Sequence, residues 1–333
     1  MKLASSLVMT FLVAITWLGG TSADCLAEKL RVVESENTIV VQDGDQSILT
    51  YNKVSPPVPK GLKGVYERSG CLHPVCSPSG QSVTAMFAKD HPHQQGIFAA
   101  WVKTTYQDET IDFWNLGGGT GRVLHEQVVS TFQEDDRAGF EVDLIHRKET
   151  EPKADVLRER WKVTAYPTDG SYRMFDLEST QSSITTHPLV INEYHYGGFA
   201  VRGPARWVTD SKDKDELEPS GFLNSEGSKR AKGNHQHAKW VSLWGEIDGK
   251  PVSITVLSDP QNFRAPQAAR IHPTKPYFCF APCVDGEFVI DGDHPYKARY
   301  RYLVTDAMPD PKWLDQQWEK WSSESTDKGG STR

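Results

Sequence analysis

The chain has 333 residues, with 37 Lys and Arg against 44 Asp and Glu, a formal net charge of −7, and no basic block. This charge excludes nucleic acid and anionic membrane surfaces as main partners, since both bind clustered cations. Aromatic residues make up 10% of the chain, and we expect most of them to pack in the core, although such a stock can also line a pocket for a small-molecule or glycan ligand.

The N-terminal segment predicts export. Lys2 precedes the apolar run 7–18, which suits a signal-peptide core but is shorter than the ~20 residues of a membrane-spanning helix. Small residues place the cleavage after Ala23 or Ala27. We expect residues 1–27 to be a signal peptide and the mature protein to be periplasmic or extracellular, without membrane attachment. An uncleaved anchor is the alternative.

Period-two runs bounded by turn residues follow, and they are typical of strands. Such runs flank Asp43-Gly44, the turn 167–170 and Asp248-Gly249, and each set predicts a hairpin. The pattern indicates an all-β, mainly antiparallel fold, and we expect one large β-sandwich domain over 28–321.

The C-terminal region changes character. A helix is predicted to start at Pro311, and the tail 322–333 has nothing apolar to bury, so it should be disordered. The polar stretch 211–232 predicts a long loop. The helix presents one apolar face, made of Leu314, Trp318 and Trp321.

Four cysteines follow the second predicted cleavage site: Cys71, Cys76, Cys279 and Cys283. An exported protein is expected to form disulfides, and three connectivities are open. Neither close pair has the C-x₂-C spacing of a zinc site.

The densest polar cluster is Asp90-His91-Pro92-His93. Pro92 favours an extended backbone at His91, and residues two apart on an extended segment point to one side. His91 and His93 are therefore candidate catalytic residues, for acid–base work or for metal binding. A polar loop with merely hydrogen-bonded histidines is the alternative.

A second candidate pair is Glu193 with His195, again two residues apart, and Arg202 follows as a clamp for a carboxylate or for hydroxyl groups. A surface ion pair is the alternative for Arg202. His235 and His237 form a third pair, which we expect to be solvated.

The remaining candidates are substrate-binding residues. Trp114 could stack on a sugar ring and Asp112 could accept hydroxyl groups, while Asn224 and Glu226 lie in a predicted turn. The glycine run that follows Trp114 lacks the Lys-Ser/Thr of a phosphate-binding loop. No serine-hydrolase elbow is present either.

A metal is a further option. His91, His93 and His195 are the candidate ligands, and Glu193 beside them would suit zinc or iron. The cofactor stays open, with a divalent metal as one possibility.

These same stretches resemble the PmoA-like family, a group of bacterial proteins that carry the label "methane oxygenase PmoA". The likeness covers roughly residues 60–285. The motifs that carry it are Gly70-Cys71-Leu72-His73-Pro74, Asp90-His91-Pro92-His93, Asp112-Phe113-Trp114, Tyr194-His195-Tyr196-Gly197-Gly198, Asn224-Ser225-Glu226-Gly227 and Asp259-Pro260.

The resemblance implies an exported domain in bacteria that degrade polysaccharides, with a galactose-mutarotase-like supersandwich. It does not imply oxygenase activity, because a true particulate methane oxygenase subunit spans the membrane several times. The chain departs from the family at Gln94-Gln95, where His-Arg usually follows. No third histidine and no arginine can act there.

The sequence therefore predicts a carbohydrate-active protein that uses His and Glu side chains as acid and base on a sugar or glycan, as an epimerase, lyase or hydrolase would. A non-catalytic glycan-binding module is one alternative. A metal-dependent oxygenase or hydrolase is the other.

Overall fold

The computed structural model describes residues 30–209 and 220–329, with side chains up to residue 324. The predicted signal peptide over 1–27 lies outside these ranges. The protein is mostly antiparallel β, with 48% of residues in strands and 10% in helices. No helix in the described ranges has the length and apolar character needed to cross a membrane.

The strands in chain order are β1 (Leu30–Glu34), β2 (Thr38–Asp43), β3 (Gln46–Asn52), β4 (Cys71–Val75), β5 (Ile97–Ala100), β6 (Thr104–Tyr106), β7 (Glu109–Ile111), β8 (Gly121–Gln133), β9 (Ala138–Lys148), β10 (Ala154–Tyr166), β11 (Tyr172–Ser183), β12 (Leu189–Ile191), β13 (Gly198–Arg202), β14 (Ser220–Asn224), β15 (Gln236–His237), β16 (Trp240–Ile247), β17 (Lys250–Ser258), β18 (Ala268–Ile271), β19 (Tyr277–Phe280), β20 (Phe288–Ile290) and β21 (Tyr296–Thr305). The helices are α1 (Arg230–Gly233) and α2 (Pro311–Gly329), and short 3-10 turns span Gly64–Tyr66, Ala205–Trp207 and Pro282–Asp285.

These strands form three sheets. A nine-stranded sheet has the order β1-β2-β3-β4-β5-β13-β19-β18-β15, an eight-stranded sheet the order β14-β16-β17-β21-β11-β10-β9-β8, and a four-stranded sheet the order β20-β12-β6-β7. The predicted hairpins are confirmed, since β2 pairs with β3, β10 with β11 and β16 with β17. Asp248 and Gly249 both have positive φ, as a tight hairpin turn requires.

The core lies between the two large sheets. Phe199 of the nine-stranded sheet packs against Trp161 and Tyr300 of the eight-stranded sheet, with ring centroids 5.8 and 5.1 Å apart. Phe280, directly opposite Phe199, stacks on Tyr300 at 5.4 Å. Two sheets that pack face to face in this way make a sandwich, so the predicted large, mainly antiparallel β-sandwich is confirmed.

The C-terminal helix packs where its apolar face predicts. Leu314 and Trp321 are buried with Trp240, Leu257 and Leu303. The helix continues to Gly329, so much of the predicted disordered tail over 322–333 is helical, and the last four residues lie outside the described ranges. The predicted loop over 211–232 is broken by β14 and α1, and residues 210–219 are not described.

The four described cysteines, Cys71, Cys76, Cys279 and Cys283, are free and buried. The expected disulfides are therefore not present among the described residues. Burial raises the pKa of the Cys71 and Cys283 thiols to about 12, so both stay protonated at neutral pH.

Candidate functional site

The outer face of the nine-stranded sheet, turned away from the sandwich core, carries the polar side chains. Phe199 and Phe280 point to the core, and side chains alternate along a strand, so Arg202 and Cys279 point outward. Directly opposite residues share a face, which adds Tyr277, opposite Arg202, and Arg270, opposite Cys279. The strand register therefore places two arginines on this outer face.

Arg202 is fully buried on this face and forms a two-point ion pair with Asp90. Its Nη2 lies 2.9 Å from Asp90 Oδ1, and its Nη1 lies 3.0 Å from Oδ2 and 2.9 Å from Gln94 Oε1. Burial acts to raise the pKa of Asp90, but hydrogen bonds from His91 and Arg202 outweigh it and hold that pKa below its ordinary value. Asp90 is therefore ionised at neutral pH.

Asp90 also fixes the tautomer of the His91 ring. His91 Nδ1 lies 3.0 Å from Asp90 Oδ2. An ionised carboxylate can only accept a hydrogen bond, so Nδ1 carries the proton and Nε2 of the neutral ring is an acceptor. The His91 side chain is 30% exposed, which leaves room for a ligand. Asp90 and His91 thus form a base and its orienting group, as in many proton-transfer sites.

The segment 91–94 is a turn, which corrects the prediction of an extended backbone from His91 to His93. The Gln94 N–H donates to the His91 carbonyl at 3.0 Å, and Pro92 occupies the second position, where its fixed φ favours a turn. The two histidines still meet, with ring centroids 5.5 Å apart. The predicted convergence therefore holds, with a different backbone geometry as its cause.

A third ring, His272, completes the cluster at 5.3 Å from the His91 ring. Its Nδ1 accepts the Thr274 and Lys275 N–H groups at 3.2 and 3.0 Å, so Nδ1 is unprotonated and Nε2 carries the hydrogen. Burial is the main cause that lowers the pKa of His93 and of His272 to about 3. Both rings are neutral at neutral pH.

Glu193 and His195 are both exposed, whereas the side chains of Tyr194 and Tyr196 pack on the core. Glu193 and His195 therefore lie on one side of the segment, as predicted. His235 Nε2 lies 2.9 Å from the His195 carbonyl oxygen and donates to it. Burial, followed by the charges of Arg270 and His235, lowers the pKa of His195.

The two histidine segments lie toward opposite ends of β13, and the expectation that they share one cleft stays a prediction. His91 lies near Arg202 at one end of the strand, and His195 precedes Gly198 at the other end. β13 has five residues, so its two ends lie about 13 Å apart. Within the described ranges, no hydrogen bond or ring contact joins His91 or His93 to the Glu193 segment. Arg270 lies between the two, since its charge lowers the pKa of both His272 and His195.

Two predicted substrate-binding residues are used by the fold instead. Trp114 is fully buried between Phe98, Tyr196 and Tyr277, so it cannot stack on a sugar. Asp112 accepts the backbone N–H groups of Trp114 and Asn115 and the Asn115 side-chain amide, at 2.7–2.9 Å. Its carboxylate therefore closes a turn.

The other two predicted substrate-binding residues lie away from the histidine cluster. Asn224 is fully buried, and its Oδ1 accepts the N–H groups of Glu226 and Ser228, which again closes a turn. Glu226 is exposed and accepts a hydrogen bond from the neighbouring Ser225 hydroxyl. Neither contacts the face that carries Arg202.

The predicted metal ligands His91, His93 and His195 are not brought together. Across residues 30–209 and 220–324, no three His, Cys, Asp or Glu side chains are placed to hold a metal ion. The geometry thus gives the metal option no support.

A groove of about 670 Å³ lies elsewhere, on the outer face of the eight-stranded sheet. Three of the four cations that line it pair with acids: Lys162 faces Glu141 at 3.6 Å, Arg137 pairs with Glu134, and Arg299 pairs with Asp176 and Asp259. It contains no histidine. Internal ion pairs explain this groove, so we place the candidate site at the histidines.

Sequence patterns missed three of the residues that form the site: Asp90 as the orienting carboxylate, His272 and Arg270. His272 gave no distinctive signal, because His-Pro pairs occur at five places in the chain. Arg270 gave none, because only strand pairing brings it to this face.

The model of a family of unknown function (DUF6807) matches residues 38–319 of the chain. No curated protein matches it. Among solved structures, the chain is similar to one described as a kojibiose phosphorylase from human microbiome, with 8% sequence identity and a TM-score of 0.31. That similarity covers 90% of this chain and 33% of the other, so this chain spans about a third of its length. A likeness of that size carries no argument about activity.

Proposed function

Because the chain belongs to a family of unknown function (DUF6807), its activity has to be argued from the site, and we propose that it is an exported carbohydrate-active protein. It moves a proton at a sugar carbon, as an epimerase or lyase does, with His91 as the base. The resemblance to the PmoA-like family and the signal-like segment 7–18 support a role outside the cytoplasm, where polysaccharides are degraded.

The observation that carries this proposal is the Asp90–His91 pair. Asp90 is anchored by Arg202 and forces the His91 proton onto Nδ1, which leaves Nε2 as a free base in a partly exposed position. A base whose orientation is set by a second group is the usual equipment for proton transfer, and it contributes roughly 10²–10⁴ in rate.

His272 supplies the complementary group. Its Nε2 carries the hydrogen, so it can donate to a sugar oxygen while His91 accepts a proton from carbon or oxygen. A neutral acceptor and a neutral donor with ring centroids 5.3 Å apart suit a sugar carbon that loses one proton as its neighbouring oxygen is polarised.

Hydrolysis fits this site less well than proton transfer at carbon. Most glycoside hydrolases need two carboxyl groups that flank the bond to be cleaved. Beside the histidine cluster, Asp90 is committed to Arg202 and His91, and Asp112 to its turn. Glu193 lies at the far end of β13. Among the described residues, the histidines are the groups left to act.

The test incubates the purified protein with a panel of neutral and acidic oligosaccharides and follows products by mass spectrometry and NMR. We expect turnover in the wild type and a loss of about 100-fold or more in His91→Gln. His294→Gln is the matched control, because the exposed His294 also bonds an aspartate, Asp291, through Nδ1. Glycan binding without turnover in the wild type would overturn the catalytic proposal in favour of a binding module.

A further inference from the structure

Arg270 has no acid partner among the described residues. Its Nη1 donates to Asn234 Oδ1 at 2.8 Å and to the Ile271 carbonyl oxygen at 3.3 Å. Its Nε is buried without a hydrogen-bond partner, and among the described residues Nη2 has none either. Arg202 on the same face is matched by Asp90. Arg270 therefore carries an unmatched positive charge at a partly exposed position.

The unpartnered Arg270 Nη2 belongs to the edge of the guanidinium that this protein uses for carboxylates elsewhere. Nε and Nη2 together hold a carboxylate in four of its ion pairs, at distances of 2.5–3.2 Å. These are Arg147 with Asp155, Arg158 with Glu126, Arg160 with Asp143 and Arg301 with Asp176. That planar fork matches the two oxygens of a carboxylate. In Arg270 the Nη2 end of that edge has no partner among the described residues, while the protein encloses Nε.

Within the described ranges, no acid side chain forms an ion pair with Arg270. Asp90 is taken by Arg202, and the His93 and His272 rings are neutral. His195, whose pKa Arg270 also lowers, is exposed at the far side. An anionic group on the ligand would supply the missing charge.

We propose that the ligand is a glycan that contains a uronic acid, and that Arg270 binds the uronate carboxylate. This inference rests on the proposed function, which it deepens by naming the substrate class. The uronate carboxylate also explains why a histidine is a strong enough base for this proton transfer. A hydrogen on the carbon next to a carboxylate, C5 of a uronate, is more acidic than other sugar C–H groups, and Arg270 would stabilise the negative charge that develops there.

The reaction balances without a co-reactant. His91 Nε2 takes the C5 proton, the C5–H electron pair forms the C4–C5 double bond, and the C4–O bond breaks. The departing oxygen accepts a hydrogen bond from His272 Nε2 and takes its proton from water. If water instead delivers a proton to the opposite face of C5, the C4–O bond stays intact and the product is the C5 epimer. Both outcomes need the same base and the same carboxylate clamp.

The experiment measures binding and turnover of galacturonate, mannuronate, guluronate and glucuronate oligosaccharides, each beside its carboxyl-reduced neutral counterpart. We expect at least one uronate to bind about tenfold or more tightly than its reduced form, with a preference that weakens as salt is raised. Equal affinity for the two members of every pair overturns the inference and leaves the proposed function standing. Failure of every oligosaccharide to bind overturns both. A preference for sulfated neutral glycans also overturns the uronate assignment.

Substitutions of Arg270 test whether its side chain binds the uronate carboxylate. Arg270→Gln should lower uronate affinity about tenfold or more and leave affinity for the reduced oligosaccharide unchanged. Arg270→Lys should restore part of it, since it keeps the charge but not the fork. Arg206→Gln, at an exposed arginine that faces Asp248, is the control. Equal losses for the charged and reduced ligands in Arg270→Gln would show that the residue only supports the fold.

Discussion

Asp90 and Arg202, which lie 112 residues apart in the chain, form a two-point ion pair with N–O distances of 2.9 and 3.0 Å. This pair fastens the 91–94 turn to the end of β13. Asp90 Oδ2 is shared, since it accepts from Arg202 Nη1 and also from His91 Nδ1, which it orients. A single carboxylate thus links the sheet, the turn and the candidate base.

The Asp90→Asn variant should lose activity about 100-fold or more, because a neutral amide no longer requires the proton on His91 Nδ1. We expect glycan affinity to change less than turnover. Kd and kcat measured on the same oligosaccharide check this, and the tautomer of His91 can be read by ¹⁵N NMR. A parallel fall in Kd and kcat, with the tautomer unchanged, would assign Asp90 a structural role alone.

The same pair should make stability depend on pH in acid. The folded pKa of Asp90 lies below its ordinary value of roughly 4, so its stabilising contribution is present above that value and is lost as pH falls through the folded pKa. The difference in unfolding free energy between wild type and Asp90→Asn should therefore be largest near neutral pH and shrink in acid. Urea denaturation over pH 2–7 measures it, and a difference that does not vary with pH would contradict the ion pair.

His93 and His272 should stay neutral far into acid. Their folded pKa values of about 3 lie below the ordinary histidine value of roughly 6.5, so the unfolded chain binds their protons first as pH falls. The folded state therefore loses stability relative to the unfolded chain as the pH falls from roughly 6.5 to about 3. NMR titration should show neutral rings for both at pH ~5, with His272 as the Nε2–H form. The exposed His294, whose pKa Asp291 raises, should be charged there. Protonation of His272 near pH 6.5 would contradict its two backbone hydrogen bonds.

Gly96 should tolerate no side chain. It has φ +63°, and a Cβ there would collide with the Leu72 carbonyl oxygen, which belongs to the backbone and cannot swing away. Gly80 shares a positive φ of +81° but has open space around it. We expect Gly80→Ala to cost about 1–2 kcal/mol and Gly96→Ala clearly more, with loss of activity as the histidine turn shifts. Equal stabilities of the two variants would refute the steric account.

The core contains a polar cluster around Glu159 that should be costly to break. Glu159 is fully buried and accepts hydrogen bonds from His146 Nε2, Trp161 Nε1 and the Ser179 hydroxyl at 2.6–2.7 Å. Glu159→Ala leaves these donors without a partner and should lower the unfolding free energy by about 3–5 kcal/mol. Glu134→Ala, at an exposed pair with Arg137, should cost less than about 1 kcal/mol. Similar losses in both variants would mean that the cluster relaxes or admits water.

The fold was predictable because its signals are local. The hairpin turns at Asp43-Gly44 and Asp248-Gly249 follow from residues that accept positive φ. The sandwich follows from runs of period two. The extra turns of α2 beyond Trp321 were not predictable from burial, since nothing apolar on that segment demands a helix.

The site was predictable only in part, because long-range pairing decides it. The sequence identifies His91, His93 and Arg202, but their partners His272 and Arg270 arrive through the pairing of β18 with β19. Trp114 and Asp112 belong to one short motif. Trp114 is nevertheless buried, and the Asp112 carboxylate closes a turn. Residue type alone does not separate an acid that closes a turn from one that faces a ligand.

Loss of the C5 proton signal of a uronate oligosaccharide in D₂O, followed by ¹H NMR, tests the central claim most directly. Epimerisation, elimination and simple exchange all remove that signal, whereas hydrolysis leaves it. We predict loss of the signal with wild type and with His294→Gln, and its persistence with His91→Gln. An oligosaccharide that binds at the histidine face of the wild type, shown by shifts of the His93 and His272 resonances, and yet keeps its C5 proton would contradict the account.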